Sequence, residues 1–229
     1  MDIDAIGFDI DGTLYSDRVL FWRLATFAVA RLRLLATFRS VRHELRELQE
    51  TREYRAEPPG SIEEFHRFQA ALVARKLRWN EGKAARVVEA HMYGTVYRAF
   101  RGLPTFPGVA EALGRLKAAG LRLGALSDLP VGDKLAELGV DRYFETSCTS
   151  EETGFLKPAR EPFELLARRL GVEPGRMLYV GNSIRYDVKG AKAAGMKTAL
   201  IAPSGARGTH GADICARSYA ALVDAILQK

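Results

Sequence analysis

Cysteine is scarce in this chain, and its scarcity excludes a class of fold. Only Cys148 and Cys215 occur among 229 residues, and they make no CxxC pair. A disulfide-stapled scaffold is therefore ruled out, and a reducing, cytoplasmic setting is the simplest expectation. Histidine is equally sparse: His43, His66, His91 and His210 lack the Cys/His spacing of a zinc site and read as structural or exposed. The start, MDIDAIGFDID, carries acids where a secretory signal needs a basic flank and an apolar stretch, so no targeting segment is expected there. A long apolar run free of charge is also missing. Val19 to Phe38 comes nearest, with 15 apolar residues in 20, but Arg23, Arg31 and Arg33 interrupt it. Each would cost about 2.5–3.5 kcal/mol at the centre of a bilayer, so no membrane partner is expected. Internal repeats and low-complexity linkers are absent too.

What is present is the composition of a folded domain, 47% hydrophobic and 27% charged, long enough for one substantial core plus an inserted piece. The net charge of +6 is unevenly placed. Asp17 to Pro104 holds 17 Lys/Arg against 10 Asp/Glu, which makes that segment +7 and the remainder −1. Such an excess permits an anionic partner without identifying one.

The first apolar run, Ile3 to Phe8, predicts a buried strand that ends in the turn Asp9-Ile10-Asp11-Gly12-Thr13. From Asp17 to Phe100 the pattern is helical. At about 100° per residue Phe21, Ala25, Ala28, Leu32 and Leu35 share a face, which predicts a soluble helix with one packed stripe. Ser40 to Glu57 reads as a second helix of alternating charge, broken by Pro58-Pro59-Gly60. Ser61 and Glu64 have the spacing of a capping box for a third, with Phe65, Phe68 and Leu72 as its apolar face, and a fourth runs from Asn80 to Phe100.

After Pro104 helices alternate with short apolar runs. Helices are expected at Pro107 to Ala119, Lys134 to Leu138, Glu161 to Leu170 and Ile184 to Ala194. The runs are Leu121 to Leu126, Tyr143 to Ser147, Met177 to Val180 and Thr198 to Ile201. This alternation predicts an α/β fold with a doubly wound parallel sheet covered on both faces. Residues 1–16 and 105–229 would form that core, and 17–104 an α-helical cap inserted after the first strand.

In open parallel sheets functional groups gather beyond the carboxyl ends of the strands. Here those ends carry Asp9 and Asp11, then Ser127 and Asp128, with Lys157 after a later run and Gly181-Asn182-Ser183 with Asp187 after another. Carboxylates held together repel unless a cation neutralises them, and hard oxygen ligands favour Mg2+. A lysine and a hydroxyl beside them suit a phosphate. A metal-screened carboxylate can then attack phosphorus while a carboxyl two residues on manages the leaving-group proton.

The motifs FDIDGTL (Phe8 to Leu14), LGALSD (Leu123 to Asp128), Lys157-Pro158 after SEETGF, and VGNSIRYDVKGAKAAG (Val180 to Gly195) occur in that order. In this the chain resembles the haloacid dehalogenase superfamily of phosphohydrolases. The resemblance implies that Asp9 is the nucleophile and forms an aspartyl phosphate, and that Asp11 is acid and then base. Ser127 and Lys157 would hold the phosphoryl oxygens, with Gly12, Thr13 and the Asp128 N–H completing the substrate site. Magnesium would take the Asp9 carboxylate, the Asp11 main-chain carbonyl and an acid of the last motif. The dehalogenase branch lacks an acid at the Asp11 position, so a phosphatase or phosphotransferase is favoured over carbon–halogen cleavage.

One departure is evident. Where the family often has Gly-Asp, this chain has Gly181-Asn182, leaving Asp187 as the only acid from Gly181 to Asp187. Asn182 would offer a neutral amide oxygen, with Asp187 binding directly or through water, and weaker magnesium binding is expected. The expected activity is hydrolysis of a small phosphorylated metabolite by a monomer or homodimer, without nucleic acid, under a cap that closes and excludes water. Two alternatives use the same features: a phosphomutase or phosphotransferase with the same nucleophile, and a non-catalytic polyanion-binding protein using the basic helices.

Overall fold

The computed structural model describes residues 2–25, 29, 31–201 and 211–228, without the side chains of 96 and 97. Six strands form one parallel sheet: β1 (Ala5–Asp9), β2 (Arg122–Ser127), β3 (Thr146–Thr149), β4 (Met177–Gly181), β5 (Lys197–Ile201) and β6 (Ile214–Ala216), in the order β3-β2-β1-β4-β5-β6. The doubly wound α/β fold expected from the alternation is thus observed. Strand order reverses beside β1, the position where such sheets place their ligands. Registers of Asp9 with Leu126 and of Phe8 with Val180 bring the carboxyl ends of β1, β2 and β4 side by side.

Between β1 and β2 the chain makes a helical insert. Its elements among the described residues are α1 (Asp17–Arg23), α2 (Leu32–Leu48), α3 (Arg52–Ala56), α4 (Ile62–Leu77), α5 (Glu81–Val88) and α6 (Gly94–Ala99), with a wide helical turn at Glu89–Tyr93 joining the last two. The ends of the insert meet, since Tyr15 and Thr105 form an antiparallel bridge and the Phe106 N–H donates to the Leu14 carbonyl at 2.9 Å. The capping residues act as their types dictate: the Ser61 hydroxyl accepts from the Glu64 N–H and the Asn80 side chain from the Lys83 N–H. The Glu64 carboxylate, however, turns back to the N–H of Gly60 rather than to that of Ser61.

Two expectations for the insert need correction. A single helix, α2, runs through the boundary placed between Phe38 and Ser40, and it breaks at Gln49. There the Gln49 amide leaves the helix to make two hydrogen bonds with the Leu156 backbone, each of 2.9 Å. The packed stripe is also different. Leu34, Phe38, Val41 and Leu45 pack against Phe65, Val73 and Leu77 of α4, whereas Phe21, Trp22 and Leu32 are 61%, 75% and 63% exposed. The two segments do not share one helical phase, because α1 ends at Arg23 and α2 starts at Leu32. Ala28 of the expected stripe, and His210, lie outside the described residues.

The remaining helices are α7 (Val109–Ala118), α8 (Lys134–Glu137), α9 (Glu161–Leu170), α10 (Lys189–Ala193) and α11 (Tyr219–Leu227). Leu113 and Leu116 of α7 with Leu222 and Ile226 of α11 cover one face of the sheet, and Phe163, Leu166 and Leu170 of α9 the other. Gly7 and Gly124 admit α9 this closely, because a Cβ on either would meet Leu166 within 2.8 Å. Strand β3 starts three residues later than the apolar run beginning at Tyr143, as Asp141–Tyr143 forms a turn that lets Phe144 pack edge-on to Phe8. No helix among the described residues is long and apolar enough to cross a membrane.

Candidate active site

The turn after β1 sets the first two carboxylates. Thr13 and Leu14 donate their N–H groups to the Ile10 carbonyl, at 3.2 and 3.0 Å, and Gly12 takes φ +80°, which favours glycine. A Cβ at Gly12 would meet Asn182 Nδ2 at 2.2 Å and Asp17 Oδ2 at 2.5 Å, so the glycine also keeps open the approach of β4's loop to the turn. Asp9, 4% exposed, accepts at Oδ2 from the Thr13 hydroxyl at 2.6 Å.

Lys157 joins the first and last motifs. Its ammonium donates to Asp9 Oδ1 at 2.6 Å, to Asp187 Oδ1 at 2.7 Å and to the Tyr179 hydroxyl at 3.3 Å. The second Asp187 oxygen accepts from the Ser183 N–H at 2.9 Å. Residues Ile184–Val188 form a wide helical turn that aims Asp187 back at the sheet, where a continuous α-helix from Ile184 was expected. Burial pushes the Asp9 carboxyl up, to about 8, against the pull of Lys157, and the charges of Asp187 and Asp11 add to the rise. Burial opposes the charge on Lys157, but Asp187 and Asp9 outweigh it and hold the ammonium protonated well above its usual range. Two carboxylates thus share this one cation. Fully ionised, the three groups carry one uncompensated negative charge, and an uncompensated buried charge is costly.

Asp11 points the other way. Its carboxylate accepts from the Ser127 hydroxyl at 2.5 Å, the Tyr15 hydroxyl at 2.7 Å and the Lys134 ammonium at 3.1 and 3.2 Å. Although burial would raise its pKa, Lys134, Ser127 and Tyr15 together hold it below the usual carboxylate range. The Ser127 hydroxyl accepts in turn from the Leu129 N–H at 3.0 Å. The Asp128 carboxylate is spanned by the Lys157 N–H at 3.0 Å and Arg46 Nη2 at 2.6 Å, and its carbonyl accepts from Arg42 Nη2 at 2.5 Å. Asn182 is exposed, with Nδ2 3.5 Å from the Asp11 carbonyl oxygen.

The model of a haloacid dehalogenase-like hydrolase matches residues 3–195. The chain belongs to the haloacid dehalogenase-like hydrolases. Among its relatives, a glyceraldehyde 3-phosphate phosphatase of Methanopyrus kandleri is 36% identical over 87% of this chain and 84% of its own. A phosphoglycolate phosphatase of Salmonella typhimurium is 42% identical over a shorter stretch, 45% of this chain and 41% of its own. Among solved structures, a HAD-hydrolase from Bacillus subtilis bound to magnesium shares the fold with a TM-score of 0.68 at 18% identity, covering all of both chains.

The site of this haloacid dehalogenase-like hydrolase thus brings together every residue singled out from its sequence. Asp9, Lys157 and Asp187 meet directly, Ser127 meets Asp11, Asp128 braces Lys157, and Gly12, Thr13 and Asn182 shape the turn. Other participants carry no local signal. Nothing in the local sequence marks Tyr15, Tyr179 or Lys134, yet Lys134 is 2% exposed against Asp11. Arg42 and Arg46 do share a face of α2 at i, i+4 spacing, a signal that a charge-alternating helix hides.

Among the described residues no three His, Cys, Asp or Glu side chains are arranged to hold a metal ion. Oxygen donors of other kinds are at hand, the Asp9 carboxylate and the Asp11 carbonyl, and the Asn182 amide lies beside that carbonyl with its Nδ2 toward it. Hard oxygens of this kind fit a hydrated divalent cation such as magnesium. Both Asp187 oxygens are engaged, by Lys157 and by the Ser183 N–H, as are both Asp9 oxygens, by Lys157 and by the Thr13 hydroxyl.

Proposed function

We propose that this chain is a magnesium-dependent phosphatase that hydrolyses a small organic phosphomonoester through an aspartyl-phosphate intermediate. The observation that carries the reading is the buried Asp9–Lys157–Asp187 contact at the switch point of the sheet, with Asp11 two residues away on a Ser127 hydroxyl. The full-length relative named for glyceraldehyde 3-phosphate and the partial one named for phosphoglycolate support a small phosphorylated substrate. The meeting of Tyr15 with Thr105 supports a division into a core of residues 1–16 and 105–229 and a cap of 17–104.

In this reading Asp9 Oδ1 attacks phosphorus, the bond to the leaving oxygen breaks, and Asp11 gives that oxygen a proton. Water then attacks the aspartyl phosphate, Asp11 takes the water's proton, and phosphate leaves. The three donors on Asp11 suit the second step, since they favour its ionised form. A phosphate dianion entering beside Asp11 raises its proton affinity, as the first step needs. Lys157 draws charge from Asp9 and the phosphoryl oxygens alike, and the Ser127 hydroxyl is placed to turn from Asp11 to the phosphate. When bound by the Asp9 carboxylate, the Asp11 carbonyl and the Asn182 amide, magnesium would supply charge neutralisation. The Asp128 brace on the Lys157 N–H keeps the lysine loop in register.

The test is turnover of phenyl phosphate with and without magnesium in wild type and Asp9→Asn. Magnesium-dependent release of phosphate by the wild type and its loss in the variant are expected. Equal turnover in both proteins would overturn Asp9 as nucleophile.

A further inference from the structure

The cleft between the helical insert and the sheet has a volume of about 940 Å³. That lies in the range that receives ligands of drug size and far exceeds a two- or three-carbon phosphate. Asp11 and Asp128 lie at its floor. Its wall is one face of α2, on which Leu35, Phe38, Arg39, Arg42, His43 and Arg46 follow one another at helical spacing. Met92 and Leu129 add further apolar lining.

The cations of this cleft are mostly committed. Arg42 is paired with Glu151 at 2.6 Å, Arg46 with Asp128 at 2.6 Å and Lys76 with Glu44 at 2.8 Å, while His43 lies 3.3 Å from Glu47. The acids Glu44 and Glu47 that also line the cleft are thereby matched. Among the described residues Arg39, which is exposed, is the cation on this wall without an acid partner. It precedes Arg46 by two turns of α2, about 10 Å along the axis. Arg46 marks the phosphate end, because it also donates from Nε to the Lys157 carbonyl at 2.8 Å. Bonds near 1.5 Å leave a two- or three-carbon chain far short of that distance.

We propose that the cleft takes a phosphomonoester with an apolar, ring-sized body and a second anionic group at its far end, which Arg39 receives. Leu35, Phe38 and Met92 contact the body, and Arg39 selects the anion. The inference rests on the phosphatase reading and narrows its substrate class away from the smallest phosphates.

The experiment compares kcat/KM for three esters: the para-phosphooxy derivative of phenylpropanoate, its counterpart para-propylphenyl phosphate, which is uncharged at the far end, and phosphoglycolate. In wild type the carboxylated aryl ester is expected to lead the uncharged one by about tenfold, the scale of one charge-assisted contact, and to lead phosphoglycolate too. In Arg39→Ala the ratio of the two aryl esters falls to about one, and Arg39→Lys restores part of it. A ratio that is the same in Arg39→Ala as in wild type, or a wild-type preference for phosphoglycolate, overturns the inference while leaving the phosphatase reading standing. Failure to turn over any ester with magnesium sinks both.

Discussion

The Arg42 guanidinium of the helical insert lies 2.6 Å from the Glu151 carboxylate of the segment after β3, and both side chains are buried. Around them the His66 ring lies 2.9 Å from Glu151, Tyr93 donates its hydroxyl to it at 3.1 Å, and Gln69 donates to Tyr93 at 2.7 Å. Three segments of the insert therefore converge on one acid of the core. Glu151→Ala leaves Arg42 buried and unpaired, a loss of about 3–5 kcal/mol. Urea denaturation is expected to show it, with most of the loss recovered in the double variant Arg42→Met/Glu151→Ala. A single variant as stable as wild type would show that the pair contributes nothing.

Lys157 has a different role, because its removal leaves Asp9 and Asp187 without their shared cation. Lys157→Met is expected to lower kcat for phenyl phosphate by about 10²–10³, the usual cost of losing one preorganised charge partner. Steady-state rates at saturating magnesium provide the check. A fall of less than tenfold would place the lysine outside the reaction.

Asn182 is neutral, and its Nδ2 lies 3.5 Å from the Asp11 carbonyl oxygen. Asn182→Asp adds a charged oxygen there and is expected to tighten magnesium binding by about tenfold, read from titration of phosphatase activity with the metal. An unchanged or weaker apparent affinity would show that position 182 does not face the ion. Chelation with EDTA should abolish turnover in both proteins.

The legible part of this molecule is the part written in short spacings. Apolar runs gave β1, β2, β4 and β5 because fully buried parallel strands need an unbroken apolar stretch. Asp9 and Asp11 were legible because one turn holds both. The contacts that tune them were not. Lys134 reaches Asp11 over 123 positions, Arg46 reaches Asp128 over 82 and Arg42 reaches Glu151 over 109. Long-range pairs of this kind depend on where helices dock, and no local period encodes that. The stripe on the insert's first helices is illegible for a related reason: Phe21 and Leu32 share a face only within one unbroken helix, and α1 ends at Arg23 while α2 starts at Leu32.

Acid should loosen the same cap–core junction, and the sign follows from Asp128. Burial favours its neutral form, but Lys157, Arg46 and Arg42 outweigh that and hold its pKa below the ordinary 3.8. A carboxyl depressed in the folded state contributes stability that is fully present above its unfolded pKa and is lost as pH falls through the folded value. Asp11 is depressed as well and acts in the same direction. Wild type is therefore expected to lose stability steadily as pH falls below about 4. Asp128→Asn removes the charged acceptor of Arg46 and should cost about 1–3 kcal/mol at pH 7. Its deficit against wild type should shrink as the pH is lowered, since wild type then loses the same charge. Urea midpoints of the two proteins at neutral pH and near pH 3 provide the measurement, and a deficit independent of pH would mean that the Asp128 charge contributes nothing to the junction.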